Sequence, residues 1–253
     1  MPDTPVSNIL ITEQYSIERP IMMLLVGPNG AGKTTFRQRY LDQNPNFNHL
    51  ITLNWDDTIK EILRRNPNLS EKTAAIQAGM NIVETQKYCF SQNYGFIYET
   101  TGADRRHREL IETAKGLDYK LVTIFIGLKS PELSKKRVQI RVKKGGHDIP
   151  VKDIESRYPK IMVNFPNILN QSDTCFVIDN SGQDYRLILL KSNDFNITFS
   201  RFPNYLNTKH FNLAQEIQDD GCILLNNKYK NKTPQQKQEI IQMFMEKFSI
   251  ERT

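Results

Sequence analysis

The chain has 253 residues, of which 38% are hydrophobic and 25% are charged, and its formal net charge is +6. This length and composition suit a soluble protein with one large core, or one domain with a small appendage. Its three cysteines, Cys89, Cys175 and Cys222, are scattered without paired spacing, which argues against a disulfide framework or a zinc site and favours a cytoplasmic location. No apolar run is long enough to cross a bilayer, so we expect no association with a membrane.

After an N-terminal extension of residues 1–20, the first element is an apolar strand at Ile21–Val26 that leads into a glycine-rich loop. The loop matches the pattern G-x-x-x-x-G-K-[ST], and the strand before it and the amphipathic stretch after it are the context that this pattern requires. Lys33 is expected to reach the β- and γ-phosphates, and Thr34 to offer its hydroxyl to Mg²⁺. The pattern predicts an ATP site formed by Gly27, Pro28, Asn29, Gly30, Ala31, Gly32, Lys33, Thr34 and Thr35.

Apolar and amphipathic runs then alternate, as in a parallel sheet with crossover helices. Further strands are predicted at His49–Asn54, Phe96–Tyr98, Tyr119–Leu128 and Cys175–Ile178. Helices are predicted after Ser70, with apolar residues at Ala75, Ile76, Met80 and Val83, at Arg105–Lys115 before Gly116, and after Ser130. The fold class is therefore α/β, a P-loop NTPase-type, mostly parallel sheet flanked by helices.

The positive charge is concentrated in the segment 129–144, which holds seven basic residues and one acidic residue. Such a cluster is often a solvated helix face, but beside a phosphate-binding loop it suits a polyphosphate ligand. Arg137 and Arg141 are four residues apart, so one helix face presents both guanidinium groups. We predict a lid in which these two arginines act in catalysis and Arg157 binds the nucleotide, whereas His147 is structural. No aromatic residues interleave with the cluster, so we expect no nucleic-acid partner.

Polar residues follow the predicted strands, at the edge where ligands of open α/β sheets bind. Phosphoryl transfer to a hydroxyl needs a carboxylate that accepts the hydroxyl proton, and Asp56, after the second strand, is suited to this role. Asp57 and Asp179 are more typical of residues that cap the next turn. Asp56 is also predicted to bind the substrate, together with Glu99, Thr100 and Thr101 after the third strand.

In this order, several segments resemble the motif set of the zeta toxin family. They are Gly27–Thr35, Asn54–Asp56, Glu99–Thr101, Arg137–Pro150 with Ile154 and Arg157–Tyr158, and Asp179–Gly182. The resemblance covers about residues 20–190 and implies an ATP-dependent kinase of small molecules, whose toxin members phosphorylate the 3′-hydroxyl of UDP-N-acetylglucosamine.

The family resemblance also assigns roles to single residues. It implies that Asp56 is the catalytic base, that Glu99 and Thr101 lie at the substrate, and that three arginines clamp phosphates, namely Arg137, Arg141 and Arg157. It implies a protein antitoxin or inhibitor as a partner, beside the small-molecule substrate. Trp55 stands where many members have a small residue, so the identity of the acceptor stays open.

Residues 191–253 carry no motif of that family, and we assign them to a small, mostly helical appendage of a kinase domain at 21–190. Thr233 and Pro234 predict the start of a helix, whose apolar stripe contains Ile240, Ile241, Phe244 and Phe248.

Other classes of function also use a phosphate-binding loop. A transporter-type ATPase carries the same glycine-rich string, but the chain lacks an L-S-G-G-Q segment and an apolar strand that ends in Asp-Glu. A non-catalytic nucleotide switch could close the basic lid for a partner, yet it has no use for a hydroxyl base at Asp56. A kinase for a nucleoside, NAD or an antibiotic is closer in class and remains an alternative.

Overall fold

The computed structural model describes residues 19–193, 195–199, 202–206, 223–225, 229 and 231–247, so most of the predicted extension, Cys222 and Phe248 lie outside the described residues. The strands are β1 (Ile21–Val26), β2 (Ile51–Asn54), β3 (Phe96–Thr100), β4 (Lys120–Gly127), β5 (Thr174–Asp179), β6 (Arg186–Ser192), β7 (Phe195–Thr198) and β8 (Ile223–Leu225). Within the described ranges they form one sheet in the order β2-β3-β1-β4-β5-β6-β7-β8. The strands from β2 to β5 in this order are parallel, which confirms the predicted fold class.

The helices are α1 (Lys33–Phe36), α2 (Trp55–Arg65), α3 (Glu71–Gln92), α4 (Arg106–Gly116), α5 (Pro131–Lys143), α6 (Val151–Gln171) and α7 (Pro234–Lys247), and a π-helical turn at Arg37–Leu41 follows α1. The predicted N-caps are confirmed, because the hydroxyls of Ser70, Ser130 and Thr233 accept from backbone N–H groups at 3.1, 3.3 and 3.3 Å. Among the helices described, none combines the length and the apolar character needed to span a bilayer.

Strand β1 lies at the centre of the core, with all six residues buried. Successive side chains of a strand point to opposite faces, and Met23 and Leu25 accordingly join one apolar cluster while Met22 and Leu24 join another. A strand covered on both faces is typical of a parallel sheet. The loop that leaves β1 therefore starts from a strand that is buried along its whole length.

The register of the parallel strands brings their polar ends together. Val26, the last residue of β1, pairs with Thr100 of β3, and Asn54, the last residue of β2, pairs with Glu99. The glycine-rich loop and the segments that contain Asp56 and Glu99 therefore leave the sheet at the same edge, as open α/β sheets require of a ligand site.

Helix α3 is confirmed, but the apolar residues quoted for it do not form its buried face. Ile76 and Met80 are 58% and 59% exposed, and the buried residues of the helix are Ala74, Ala78, Ile82 and Cys89. The physical reason is α2, a helix that the sequence analysis did not predict, whose apolar residues pack against the alanine side of α3. Small side chains there let the two helices approach closely.

Two further details differ from the sequence predictions. The left-handed residue that follows α4 is Asp118, with φ of 57°, and Gly116 belongs to the helix. Beyond β5, the antiparallel strands β6, β7 and β8 extend the sheet, and only then does the predicted helix α7 follow. Strand β6 crosses residue 190, so the sheet continues through the proposed domain boundary, which stays a prediction.

Ile82→Ala should lower the free energy of unfolding by about 2–5 kcal/mol, because it leaves a cavity at a side chain that is 4% exposed. Met80→Ala on the same helix is the matched control and should change it by less than about 0.5 kcal/mol. Urea unfolding followed by circular dichroism measures both values. Equal losses from the two variants would contradict this assignment of the buried face.

Candidate active site

The phosphate-binding loop connects β1 to α1 through three unusual backbone positions. Gly27, Gly30 and Gly32 have φ angles of 154°, 73° and 90°, which residues with a side chain rarely adopt. Inside this loop the Lys33 ammonium donates to the carbonyl oxygens of Gly27 and Pro28 at 2.9 and 3.2 Å. The backbone of the loop therefore surrounds the Lys33 ammonium, and the predicted contact of Lys33 with phosphates stays a prediction.

Neighbouring elements hold the loop in this shape. Asn180 and Tyr185, which follow β5, donate from their side chains to the carbonyl oxygens of Ala31 and Gly32, at 2.8 Å each. From α5, the Ser134 hydroxyl donates to a further loop carbonyl. Side chains from α5 and from the segment after β5, both far from the loop in sequence, thus hold the loop backbone in place.

Two cavities meet at the loop, and Lys33 and Glu99 line both. The phosphate cavity, of about 380 Å³, is lined by Gly30, Gly32, Lys33, Thr34, Thr35, Glu99, Arg137 and Arg141 with three further residues. The polar cleft, of about 670 Å³, has among its lining residues Asn29, Asp56, Glu99, Thr100, Thr101 and Arg157. The residues that the sequence singled out for nucleotide and for substrate thus line adjoining spaces.

The charge on Lys33 is poorly solvated. Burial lowers the pKa of its ammonium below the usual value, although the carboxylates of Glu99 and Asp56 act to raise it. Arg141 lowers this pKa further by repulsion between like charges. An anion beside Lys33 would stabilise the charged form, so we expect nucleotide phosphates to raise the pKa of Lys33.

The first turn of α2 contains two neighbouring aspartates, Asp56 and Asp57, whose carboxylates have different surroundings. Asn54 caps this helix, and its Oδ1 accepts from the backbone N–H of Asp57 at 2.9 Å. The Asp56 carboxylate lines the polar cleft, 3.6 Å from the Arg141 guanidinium. The Asp57 carboxylate instead pairs with Arg37 at 3.4 Å. Of the two aspartates, Asp56 alone therefore borders the cleft.

A phosphate-binding loop implies a divalent cation, and the residues at the boundary of the two cavities fit one. The Thr34 hydroxyl donates to Oε1 of Glu99 at 2.7 Å. The other carboxylate oxygen, Oε2, is buried and has no hydrogen-bond partner in the part of the chain described. The described residues contain no cluster of acidic, histidine and cysteine side chains that would hold a metal alone. Mg²⁺ would therefore bind here through Thr34, nucleotide phosphates and water.

Thr100, the last residue of β3, and Thr101 line the polar cleft. The side-chain oxygens of Thr100 and Thr101 accept from the backbone N–H groups of Gly102 and Ala103 at 3.2 and 3.4 Å. Because a hydroxyl can accept and donate at the same time, the O–H donor of Thr101 is available to a group in the polar cleft, whereas the Thr100 hydroxyl also interacts with the Tyr98 phenol.

Helix α5 brings both predicted arginines to the phosphate cavity. Arg137 donates to the carbonyl of Gly182 at 2.9 Å, and Arg141 donates to the carbonyl of His147 at 2.7 Å. Lys135, on another side of the helix, pairs with a glutamate of α6 at 2.9 Å. The Arg141 contact uses the backbone carbonyl of His147, a residue that lines the polar cleft, and its structural role stays a prediction.

Arg157 lies in the polar cleft and not among the residues that line the phosphate cavity. It belongs to α6, where its guanidinium is 3.1 Å from the Asp153 carboxylate one turn earlier. The sequence had grouped Arg157 with the nucleotide, whereas this location supports contact with a second ligand.

Asp179, at the end of β5, has the structural role that the sequence favoured. Burial acts to raise its pKa, but hydrogen bonds from Ser181, Tyr205 and Arg186 outweigh burial and hold this pKa below its usual value. Tyr205 donates at 2.7 Å and Arg186 at 3.1 Å. The carboxylate thus anchors the segment from which Asn180 reaches the phosphate-binding loop.

The sequence analysis missed three residues that support the site: Arg37, Ser134 and Tyr185. Each of them has a partner that lies far along the chain, so a local sequence pattern does not indicate its role. Tyr185, for example, contacts a loop residue 153 positions earlier. For Asn180 there was a usable signal, because it belongs to a run of polar residues directly after a buried strand.

A parallel sheet, a phosphate-binding loop after its central strand and an adjoining polar cleft define the class of P-loop kinase-like proteins. Residues 22–157 match the AAA domain family AAA_33, and the chain belongs to this family. An uncharacterised protein of Haemophilus influenzae is 29% identical over 132 residues, which are 52% of this chain and 88% of that protein.

Solved structures of the AvrRxo1-ORF1 complex with AvrRxo1-ORF2 contain a chain of similar fold. The structure with sulphate ions has a TM-score of 0.58 at 12% identity, and the structure with ATP a TM-score of 0.58 at 13% identity. Each match covers 74% of this chain but 63% of the other, so this chain is matched to less than two thirds of that relative's length. At such low identity the likeness concerns the fold, and it confirms the predicted P-loop architecture.

Asn180→Ala should weaken ADP binding about fivefold, because the loss of a buried hydrogen bond to the loop corresponds to ~1 kcal/mol. Isothermal titration calorimetry with ADP and Mg²⁺ measures the change. Asn193→Ala, at the exposed end of β6, is the control and should leave ADP affinity unchanged. An unchanged affinity in Asn180→Ala would mean that the loop keeps its shape without this contact.

Proposed function

We propose that the protein is a kinase that transfers the γ-phosphoryl group of ATP to a hydroxyl of a small molecule. The observation that carries this proposal is the Asp56 carboxylate, which lines the polar cleft while its partner Arg141 lines the phosphate cavity. A base between a phosphate site and a second, polar space suits transfer from one ligand to another. A non-catalytic switch has no use for that base.

In the proposed reaction, Asp56 orients the acceptor hydroxyl and takes its proton while the oxygen attacks the γ-phosphorus and ADP leaves. Lys33 stabilises the β- and γ-phosphates, and Arg137 and Arg141 neutralise negative charge on the phosphoryl group during its transfer. Thr34, supported by Glu99, would hold Mg²⁺, which neutralises charge on the phosphates when it is bound.

Arg141 connects the phosphate cavity with the proposed base, Asp56. Its guanidinium lies 3.6 Å from Asp56 and donates at 2.7 Å to a backbone carbonyl. Phosphate oxygens bind a guanidinium more strongly than a single carboxylate at this distance does, since they form paired, charge-assisted hydrogen bonds. ATP would therefore draw Arg141 toward the phosphate cavity and leave Asp56 free for the acceptor hydroxyl.

The lining of the polar cleft favours an acceptor with hydroxyls and phosphates. Thr101 offers an O–H group, and three cations besides Lys33 line the same cleft: Arg106, Arg157 and Lys160. A UDP-amino-sugar such as UDP-N-acetylglucosamine has both kinds of group, and the resemblance to the zeta toxin family favours it. We extend the proposal to a toxin-like role with a protein antitoxin as partner on the same resemblance.

Trp55 bears on the size of the acceptor. Its indole lines the cleft beside Asp56 and packs on Gly79 of α3, where a Cβ atom would lie 2.7 Å from the ring. Glycine at this position lets the ring lie close to the helix. The ring narrows the cleft next to the proposed base, which supports a ring-sized acceptor such as a hexose.

Asp56→Asn should reduce phosphoryl transfer by about a hundredfold or more and leave ATP affinity within about threefold, because the amide cannot take up a proton. Asp57→Asn is the matched control, and its effect on turnover should be small. Initial rates and nucleotide titrations of both variants provide the test. The reverse order of effects would contradict the role given to Asp56.

The acceptor itself can be identified by incubating the protein with ATP, Mg²⁺ and a panel of UDP-sugars, NAD, nucleosides and aminoglycosides. We expect a UDP-N-acetylhexosamine to gain one phosphoryl group by mass spectrometry, and the Lys33→Ala variant to form no product. Modification of NAD or a nucleoside alone would overturn the UDP-sugar proposal and keep the kinase. ATP hydrolysis without any phosphorylated acceptor would overturn the kinase.

A further inference from the structure

Arg37 is a largely buried cation that the proposed mechanism does not use. It begins the π-helical turn after α1, and its side chain is 12% exposed. Three carboxylates surround its guanidinium: Asp42 at 3.0 Å, Asp57 at 3.4 Å and Glu99 at 4.0 Å. A single arginine thus holds together the π-helical turn, the first turn of α2 and the end of β3.

The contact with Glu99 differs from the other two. Nη1 and Nη2 of Arg37 donate hydrogen bonds to Asp42 and Asp57. The Nε atom lies 4.0 Å from Oε2 of Glu99, which is too far for a hydrogen bond. Both atoms of this pair are buried, and neither has a hydrogen-bond partner among the described residues. Opposite charges this close in a buried site attract strongly without a hydrogen bond. Arg37 therefore compensates the Glu99 charge and leaves Oε2 free to accept a hydrogen bond.

The other carboxylate oxygen of Glu99 indicates the function of the contact between Arg37 and Glu99. Oε1 accepts from the Thr34 hydroxyl at 2.7 Å, and Thr34 is the loop residue whose hydroxyl suits a divalent cation. Groups that hydrogen-bond to a metal ligand orient it, and their loss typically weakens metal binding by about tenfold to a hundredfold. Glu99 is such a group for Thr34, and Arg37 is the cation that stabilises Glu99 in its ionised, buried position.

The π-helical turn explains why Arg37 can do this. The backbone N–H of Asp42 donates to the carbonyl of Arg37 at 2.9 Å, a spacing of five residues. This wider turn sets the Asp42 carboxylate beside the guanidinium from five residues away. The bond to Asp42 limits the motion of the Arg37 side chain, and Nε is thereby kept on the side of Glu99.

We propose that Arg37 is a positioning residue for the nucleotide-bound divalent cation, acting through Glu99 on Thr34. This inference rests on the phosphate-binding part of the proposed function and is independent of the acceptor and of catalysis. A purely structural arginine would hold the π-helical turn and α2 together and would leave metal affinity unchanged.

The test is calorimetric titration of Mg²⁺ into protein saturated with ADP, with ADP affinity measured separately without metal. Arg37→Gln should weaken Mg²⁺ binding by about tenfold to a hundredfold and change metal-free ADP binding by less than about threefold. Glu99→Gln should give a similar loss, and the double variant little more than either, because both act on one contact. Arg64→Gln, the control, removes an exposed arginine of α2 that pairs with Glu61 at 2.9 Å, and it should leave Mg²⁺ affinity within about twofold.

Arg37→Lys keeps the charge, should recover most of the Mg²⁺ affinity, and provides a second measurement if Arg37→Gln is too unstable to purify. Unchanged Mg²⁺ affinity in Arg37→Gln, together with a lower unfolding temperature, would overturn the proposal in favour of a structural role. Independent, additive losses in the double variant would also overturn it. Because no acceptor and no turnover enter this experiment, a protein that binds Mg²⁺ and ADP but phosphorylates nothing would count against the kinase alone.

Discussion

Strand β1 pairs in parallel with β3 on one side and with β4 on the other, and the positions of the polar groups depend on this pairing. Its last residue, Val26, lies opposite Thr100, so the phosphate-binding loop begins beside the polar end of β3. Asn54 lies opposite Glu99 and brings the first turn of α2 to the same edge. A slip of one residue would turn each side chain to the other face of the sheet. The site is therefore a property of the sheet as much as of the loop.

The charges around the loop balance one another before any ligand binds. Lys33 lies near the carboxylates of Glu99 and Asp56, and Arg141 lies near Asp56. Buried or half-buried charges are costly unless they have partners, so these contacts allow several cations to stay close together. Phosphates would compete for the same cations. In the proposed mechanism, a bound nucleotide would act on the base Asp56 through Arg141, which lies 3.6 Å from it.

Residues after β5 support the phosphate-binding loop. Asn180 and Tyr185 hold the loop backbone, and Tyr205 donates to Asp179, which anchors the segment that carries Asn180. Strands β6, β7 and β8 pair in succession and extend the sheet beyond β5. Mechanical support for the phosphate-binding loop therefore comes from residues on both sides of position 190.

Much of the fold and of the site could be predicted from the sequence, because the signals concerned are local. The loop motif, the caps at Ser70 and Ser130, and the apolar runs of the parallel strands each involve residues within a few positions of one another. The same holds for Arg137 and Arg141, whose spacing of four on α5 sufficed to bring both to the phosphate cavity. By itself, the sequence determined the class of fold, the nucleotide loop and the candidate base Asp56.

Only the tertiary structure decided features that depend on partners far along the chain. Helix α2 selects the alanine side of α3 for burial, so Ile76 and Met80 face outward although they are larger and more apolar. Arg157 lies in the polar cleft because α6 carries it there. Arg37 contacts the carboxylates of Asp42, Asp57 and Glu99, which belong to three different segments. No local pattern encodes such contacts, since they arise when separate elements pack and buried charges take the partners within reach.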